Sequence, residues 1–321
     1  MRLRLVPKQT NFDFFRFRKI TFGGSIVAMV ASIAIWLIVG LNFGIDFLGG
    51  TTIRTESTQA VDVGTYREAL SPLGLGDIAI TEVNDLTFAV DQNVAQIRIQ
   101  AQEGAEAITS ETITAVEAAL RSVDAAIQFT SVESVGPEVS GELILTALLA
   151  VSASLVAILF YIWLRFEWQF SVGAIAALVH DVVLTIGIFS LLQIRFDLAT
   201  IAAILTIIGY SINDTVVLFD RLRENLIKYK KRPLIDVMNL STNETLSRTL
   251  MTSVTTLIAL IALLILGGDV IRGFVFAITW GVVVGTYSSV YVAKNVVLML
   301  GVDREPKKPS DAGTQFADID A

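Results

Sequence analysis

Asp214 is an ionisable carboxyl inside an otherwise apolar stretch of chain, residues 198–219. An ionised carboxylate in hydrocarbon has lost its water, so it must be neutralised, paired or reached by a polar path. Arg248 opens the next apolar stretch, and its guanidinium stays charged throughout. A carboxyl that attracts this arginine when ionised and releases it when protonated would couple proton uptake to movement. A static pair, with Arg248 reaching for the membrane surface, satisfies the same residues, and their types and spacing leave both arrangements open. Ser211, Asn213 and Thr215 flank Asp214, where they can line a water path or hydrogen-bond neighbouring helices. His180 and Asp181 form a second ionisable pair in the middle of another apolar stretch. Adjacent side chains on an α-helix diverge by about 100°. These two are therefore expected to bond other helices rather than each other, with a relay role as the alternative.

Other chemistries are excluded by residue type. The chain has no cysteine and one histidine, so neither a thiolate nor a multi-histidine metal site can be built. An intramembrane protease would need a matching catalytic aspartate in a Gly-x-Gly-Asp setting or a serine motif beside His180, and neither is present. No cofactor and no enzymatic activity are expected. A nucleic-acid partner is not expected either, because no basic patch accompanies a soluble fold.

The elements that hold these residues are membrane helices. Of the 321 residues, 53% are hydrophobic and the mean hydropathy is +0.65, which suits an integral membrane protein. Six runs are long enough to span a bilayer: 20–41, 143–164, 170–194, 198–219, 249–268 and 273–293. The first, at 22 residues, exceeds a signal-peptide core and no small-x-small cleavage site follows it, so it reads as an uncleaved helix. Lys and Arg concentrate in the 1–19 tail, in a polar, partly helical loop at about 220–246, and in a C-terminal tail counted from Lys294. By the positive-inside rule both termini are expected in the cytoplasm, with residues 142–303 as a five-helix bundle and 304–321 as a disordered cytoplasmic tail. Gly281-Val-Val-Val-Gly285 offers a small-residue surface for close helix packing, and Ser241-x-x-Glu244 has the form of a capping box that would start a helix just before Arg248.

Residues 42–141 carry 4 Lys/Arg against 15 Asp/Glu and are expected outside, as a periplasmic α+β domain. Residues 45–55 read as a strand interrupted by Gly49-Gly50, a bulge or a close backbone approach. A helix is expected over 61–70, alternating strands over 78–83 and 95–101 with Phe88-Ala-Val90 between them, a helix over 108–123 and a closing strand over 126–135. This β-α-β-β-α-β order predicts a ferredoxin-like sandwich.

Several motifs occur in a specific order: Phe43-Gly-Ile-Asp-Phe-Leu-Gly-Gly-Thr51, Gly136-Pro-Glu-Val-Ser-Gly-Glu-Leu143, Ile207-Ile-Gly-Tyr-Ser-Ile-Asn-Asp-Thr-Val-Val217, Phe219-Asp-Arg-Leu-Arg-Glu-Asn225 and Asn243-Glu-Thr-Leu-Ser-Arg-Thr249. Together they resemble the SecD/SecF family of bacterial protein-export membrane proteins, whose membrane fold is related to the resistance–nodulation–division exporters. The resemblance covers residues 12–300. It implies a non-enzymatic accessory of the Sec translocon in the bacterial inner membrane. Such an accessory uses the proton-motive force, after the motor ATPase has acted, to help draw preproteins across. It also implies SecD as a partner, together with SecYEG, SecA, YajC, preprotein substrates and membrane lipid. By local motif the family's intramembrane aspartate corresponds to Asp214 and its functional arginine to Arg248. A further aspartate belongs to SecD, so this chain would hold part of a proton path.

Overall fold

The computed structural model describes residues 10–83, 88–89, 92–101 and 108–302. The expected disordered tail, the basic residues Arg2, Arg4, Lys8, Arg304, Lys307 and Lys308, and Val90 lie outside the described residues. The chain opens with α1 (Arg18–Val39), β1 (Asn42–Phe43), α2 (Ile45–Leu48), β2 (Gly50–Ser57), α3 (Val63–Leu70), β3 (Ile78–Val83) and β4 (Asn93–Gln100). It continues with α4 (Ser110–Val123), β5 (Gln128–Val135), α5 (Pro137–Arg165), α6 (Trp168–Leu192) and β6 (Arg195–Phe196). Then follow α7 (Leu198–Lys228), α8 (Leu234–Leu266), α9 (Asp269–Ser288), a π-helical turn (Ser289–Ala293) and α10 (Lys294–Leu300). Among the described residues six helices are long and apolar enough to cross a membrane, the sixth being the α9–α10 unit. Each overlaps one of the six apolar runs.

α7 has 31 residues and α8 has 33, about 45–50 Å at 1.5 Å per residue. Both therefore exceed a hydrocarbon core of about 30 Å. The polar 220–246 segment is accordingly almost all helix, interrupted only at 229–233. It stays helical because one face remains apolar: Phe219, Leu222, Leu226, Val237 and Met238 pack with Phe170 in one buried cluster. The expected capping box at Ser241 is not formed. Ser241 lies inside α8, where its hydroxyl donates to Val237 O at 2.8 Å, and the helix has already started after Pro233. A capping box does open α7, where Asp197 accepts from Thr200 N at 2.9 Å and Thr200 Oγ1 accepts from Asp197 N at 3.3 Å.

Small residues set the helix crossings, as Gly281-x-x-x-Gly285 predicts. A Cβ on Gly281 would lie 2.2 Å from Ile207 Cγ1, and one on Gly285 would lie 3.1 Å from Ser211 Cβ. α9 therefore rides close on α7 beside Asp214. α1 seats on α6 in the same way, with Ser32 against Gly187.

β2, β3, β4 and β5 form an antiparallel sheet in the order β3-β4-β2-β5, with α3 and α4 inserted in the order β-α-β-β-α-β. Ile53, Ile97, Ile99, Tyr66, Leu70, Val116 and Leu120 make its core. Residues 45–48, expected as strand, are instead the short helix α2. Its Asp46 carboxylate accepts from Leu198 N at 3.0 Å, tying the start of the sheet domain to the first turn of α7. The strand begins at Gly50, which has φ +120 and where a Cβ would meet Ile99 O at 2.3 Å. This is the close backbone approach that the paired glycines predict.

Candidate functional site

Asp214 sits half-buried on α7, with both carboxylate oxygens engaged by other spans. Thr249 Oγ1 of α8 donates to Oδ1 at 2.7 Å, and Ser289 Oγ of the π turn donates to Oδ2 at 3.2 Å. Arg248 is exposed and forms no ion pair with Asp214 within 4.0 Å. On α8 a one-residue step rotates the side chain by about 100°, so Thr249 faces α7 and Arg248 lies to the side. One turn away a second polar layer links the same helices. Tyr210 OH donates to Ser253 Oγ at 3.4 Å, and Ser253 shares a 2.7 Å bond with Thr286.

His180 and Asp181 of α6 are fully buried, at 0% exposure. Contrary to the sequence expectation, they bond each other, His180 Nδ1 to Asp181 Oδ1 at 2.9 Å. The 100° rotation separates the Cβ directions of neighbours, and both side chains are long enough to curve back toward a common point. Asp181 Oδ2 also accepts from Ser211 Oγ at 2.6 Å and Ser288 Oγ at 2.8 Å. Ser211, expected beside Asp214, thus serves Asp181 instead. Thr215 is buried and Asn213 exposed, and neither bonds Asp214. Two carboxyls, the buried Asp181 on α6 and the half-buried Asp214 on α7, therefore meet consecutive serines of the sixth span. Among the described residues no three His, Asp or Glu side chains converge as a metal site would require.

Sequence reasoning missed Thr249, Ser288, Ser289 and Lys294. Lys294 was grouped with the basic C-terminal tail, but it is fully buried at the start of α10. Its Nζ donates to Thr242 Oγ1 and stands 5.3 and 5.1 Å from the ring centroids of Phe14 and Phe15. The segment before α1 brings these rings there by pairing with α8. Phe12 exchanges two bonds with the Asn243 side chain, at 2.8 and 2.9 Å, and Phe14 N donates to Asn239 Oδ1 at 3.0 Å. The two polar motifs after Phe219 and after Asn243 also meet. Glu244 Oε2 accepts from Arg221 Nε at 2.7 Å and from Asn225 Nδ2 at 2.6 Å. This clamp fixes the end of the α7–α8 hairpin from which Asp214 and Thr249 project.

Comparison with known proteins places these motifs. A family model described as "Protein export membrane protein SecD/SecF, C-terminal" matches residues 115–303, and one described as "SecD/SecF GG Motif" matches residues 34–61. The protein named protein translocase subunit SecF from Cereibacter sphaeroides is 68% identical over 321 residues, covering 100% of this chain and 99% of that one. Its namesake from Rhodobacter capsulatus is 66% identical over 97% of this chain and 96% of its own, and that from Rickettsia felis 41% over 95% and 97%. The crystal structure of SecDF from Thermus thermophilus, described as a translocon-associated membrane protein, superposes with a TM-score of 0.82 at 35% identity. That match covers 94% of this chain but 40% of the larger SecDF polypeptide.

Proposed function

The chain belongs to the SecF subunits of the SecD/SecF protein-export family, and from that premise we propose that it works with SecD to use the proton-motive force in completing preprotein translocation across the bacterial inner membrane. The observation that carries this reading is the engagement of Asp214 by Thr249 and Ser289 from two other spans. A change of charge on that carboxyl alters its bonds to α8 and the sixth span together. Proton binding is thereby tied to helix position rather than to a local side chain. Asp214 and Arg248 stand apart, the separation that release of the arginine in such a switch calls for. Ionisation would draw Arg248 in and shift α8 against α7.

In this reading the bundle lies in the inner membrane with both termini cytoplasmic, and the sheet domain is a ferredoxin-like periplasmic module that grips emerging polypeptide. The β-α-β-β-α-β order with sheet order β3-β4-β2-β5 supports that fold. The 1–19 tail, the far ends of α7 and α8, and the chain after residue 303 then face the cytoplasm, where SecYEG, SecA and YajC are approached. A carboxyl can bind either a proton or sodium, so the driving ion is part of the test.

Asp214→Asn keeps the size of the side chain but removes its titration and puts an NH2 donor where one carboxylate oxygen accepts. In membrane vesicles containing SecD, the translocon and this subunit, the substitution is expected to abolish the gradient-dependent stage of preprotein movement while the complex still assembles. The wild-type stage is expected to persist in sodium-free buffer. Undiminished gradient-dependent export by Asp214→Asn would remove the basis of the proposal.

A further inference from the structure

The dyad on α6 carries chemistry that the Asp214 reading does not use. Asp181 accepts three bonds, from Ser211, Ser288 and His180 Nδ1. An ionised carboxylate is an acceptor only, so three donors around it match the charged form and place a hydrogen on Nδ1. The imidazole is then left with a lone pair on Nε2, and that atom is buried without a hydrogen-bond partner. The ring stacks on Tyr287 with centroids 6.0 Å apart and an interplanar angle of 26°. Tyr287 OH in turn donates to Thr21 O at 2.9 Å and receives a bond from Ser25 at 3.2 Å. A buried histidine ordered on one nitrogen and open on the other is poised to accept a proton.

We propose that His180 is a second proton-binding residue of this chain, accepting at Nε2, and that the Ser288–Ser289 step couples its charge to that of Asp214. This inference rests on the proton-coupling reading and adds a residue to it. One proton adds to the Nε2 lone pair and no bond breaks. The neutral imidazole becomes an imidazolium, Asp181 keeps its charge, and the buried cluster passes from one negative charge to a neutral ion pair. That change offsets the cost of a lone charge in a low-dielectric interior. The coupling runs through donors that each have two acceptors. Ser288 can donate to Asp181 or to Gly285 O at 3.2 Å, and Ser289 to Asp214 or to Thr286 O at 3.1 Å. They sit where α9 gives way to the π turn, a local widening of the helix that lets consecutive hydroxyls serve different neighbours.

The other ionisable groups near the dyad are few. From the sixth span they are Tyr287, Tyr291 beyond it with rings 5.0 Å apart, and Lys294 further along. From α7 they are Tyr210 and Asp214. α1 contributes none between Thr21 and Val39, and the ionisable residues of α5 are Tyr161 and Arg165 near one end with Glu138 and Glu142 near the other.

The chain has a single histidine, so ring-nitrogen labelling reports on His180 alone. The full chain, assembled with SecD in lipid bilayers, is labelled with ¹⁵N-histidine and followed by solid-state NMR from about pH 5 to about pH 9, the range over which imidazoles commonly titrate. The expected result is a Nδ1–H tautomer at the alkaline end, a doubly protonated ring at the acid end, and a displaced transition in Asp214→Asn. A ring that keeps one neutral tautomer throughout, or a transition that ignores Asp214→Asn, overturns the proposal. His180→Gln retains a polar side chain without the proton exchange and is expected to lose gradient-dependent export while assembling normally. If Asp214→Asn loses that stage and His180→Gln keeps it in full, this inference falls and the Asp214 reading stands. If Asp214→Asn also keeps it, the underlying reading has failed.

Discussion

Thr249 and Arg248 are neighbours on α8, yet only the threonine reaches Asp214. The charges were legible in the sequence because an ionisable group in an apolar run is costly and therefore conspicuous. Hydroxyls are not conspicuous, since in a membrane helix they can satisfy themselves on their own backbone, as Ser289 does in part on Thr286 O. That is why Thr249, Ser288 and Ser289 escaped notice, and why Lys294, at the edge of a run, passed for a surface anchor. Thr249→Val keeps the branched shape and deletes the 2.7 Å bond. A hydrogen bond to a charged acceptor contributes about 1.5–3 kcal/mol, so gradient-dependent export is expected to fall roughly tenfold or more without reaching the null of Asp214→Asn. Arg248→Lys keeps the charge and loses the planar fork. A partial loss is expected in the same export assay, and full activity would mean that Arg248 serves only as an interfacial anchor.

At the scale of elements, the crossing of α7 and α9 depends on two glycines that the sequence displayed openly. The true start of α8, by contrast, was hidden because a polar helix extension and a polar loop look alike until a packed partner such as Phe170 is known. Three alanine substitutions separate close packing from helix propensity. At Gly281 the new methyl meets three Ile207 side-chain atoms at 2.2–2.6 Å, and overpacking of this kind costs about 1–3 kcal/mol. At Gly285 the nearest atom is 3.1 Å away, and at Gly209 nothing lies within 4 Å. Thermal unfolding in detergent is expected to rank Gly281→Ala as the most destabilised, Gly285→Ala as intermediate, and Gly209→Ala as neutral or slightly stabilised by helix propensity. Equal behaviour at Gly281 and Gly209 would show that the helices do not hold this crossing.

The molecule as a whole joins a bundle to a sheet domain, and the two respond differently to their surroundings. In the sheet domain, burial and then the nearby Asp124 carboxylate push the Tyr66 phenol up to about 12. Its hydroxyl donates to Asp124 at 3.3 Å. A free phenol ionises near pH 10, so the folded domain favours the neutral form. That contribution is complete below about pH 10 and is lost as pH rises from there through about 12. Absorbance of tyrosinate should show one of the six tyrosines ionising only as the domain opens, a step missing in Tyr66→Phe. The bundle poses a different question, because Asp214 and Asp181 do not reach both of its ends. Between them and the sheet domain lies a packed apolar layer of Phe189, Phe196, Ile204, Ile207, Ile208 and Ala277, none of which is ionisable. α1, α5 and α8 meanwhile present much exposed apolar surface, on which another membrane subunit can seat. On the proposed reading, a path that skirts the apolar layer would run along a surface shared with SecD. The chain alone, in liposomes under an imposed pH gradient and monitored with an internal pH dye, is expected to leak no faster than empty vesicles. Adding SecD is expected to open a leak that Asp214→Asn closes. A leak through the chain alone that Asp214→Asn abolishes would place the whole path inside this subunit and make the apolar layer permeable, contrary to its packing.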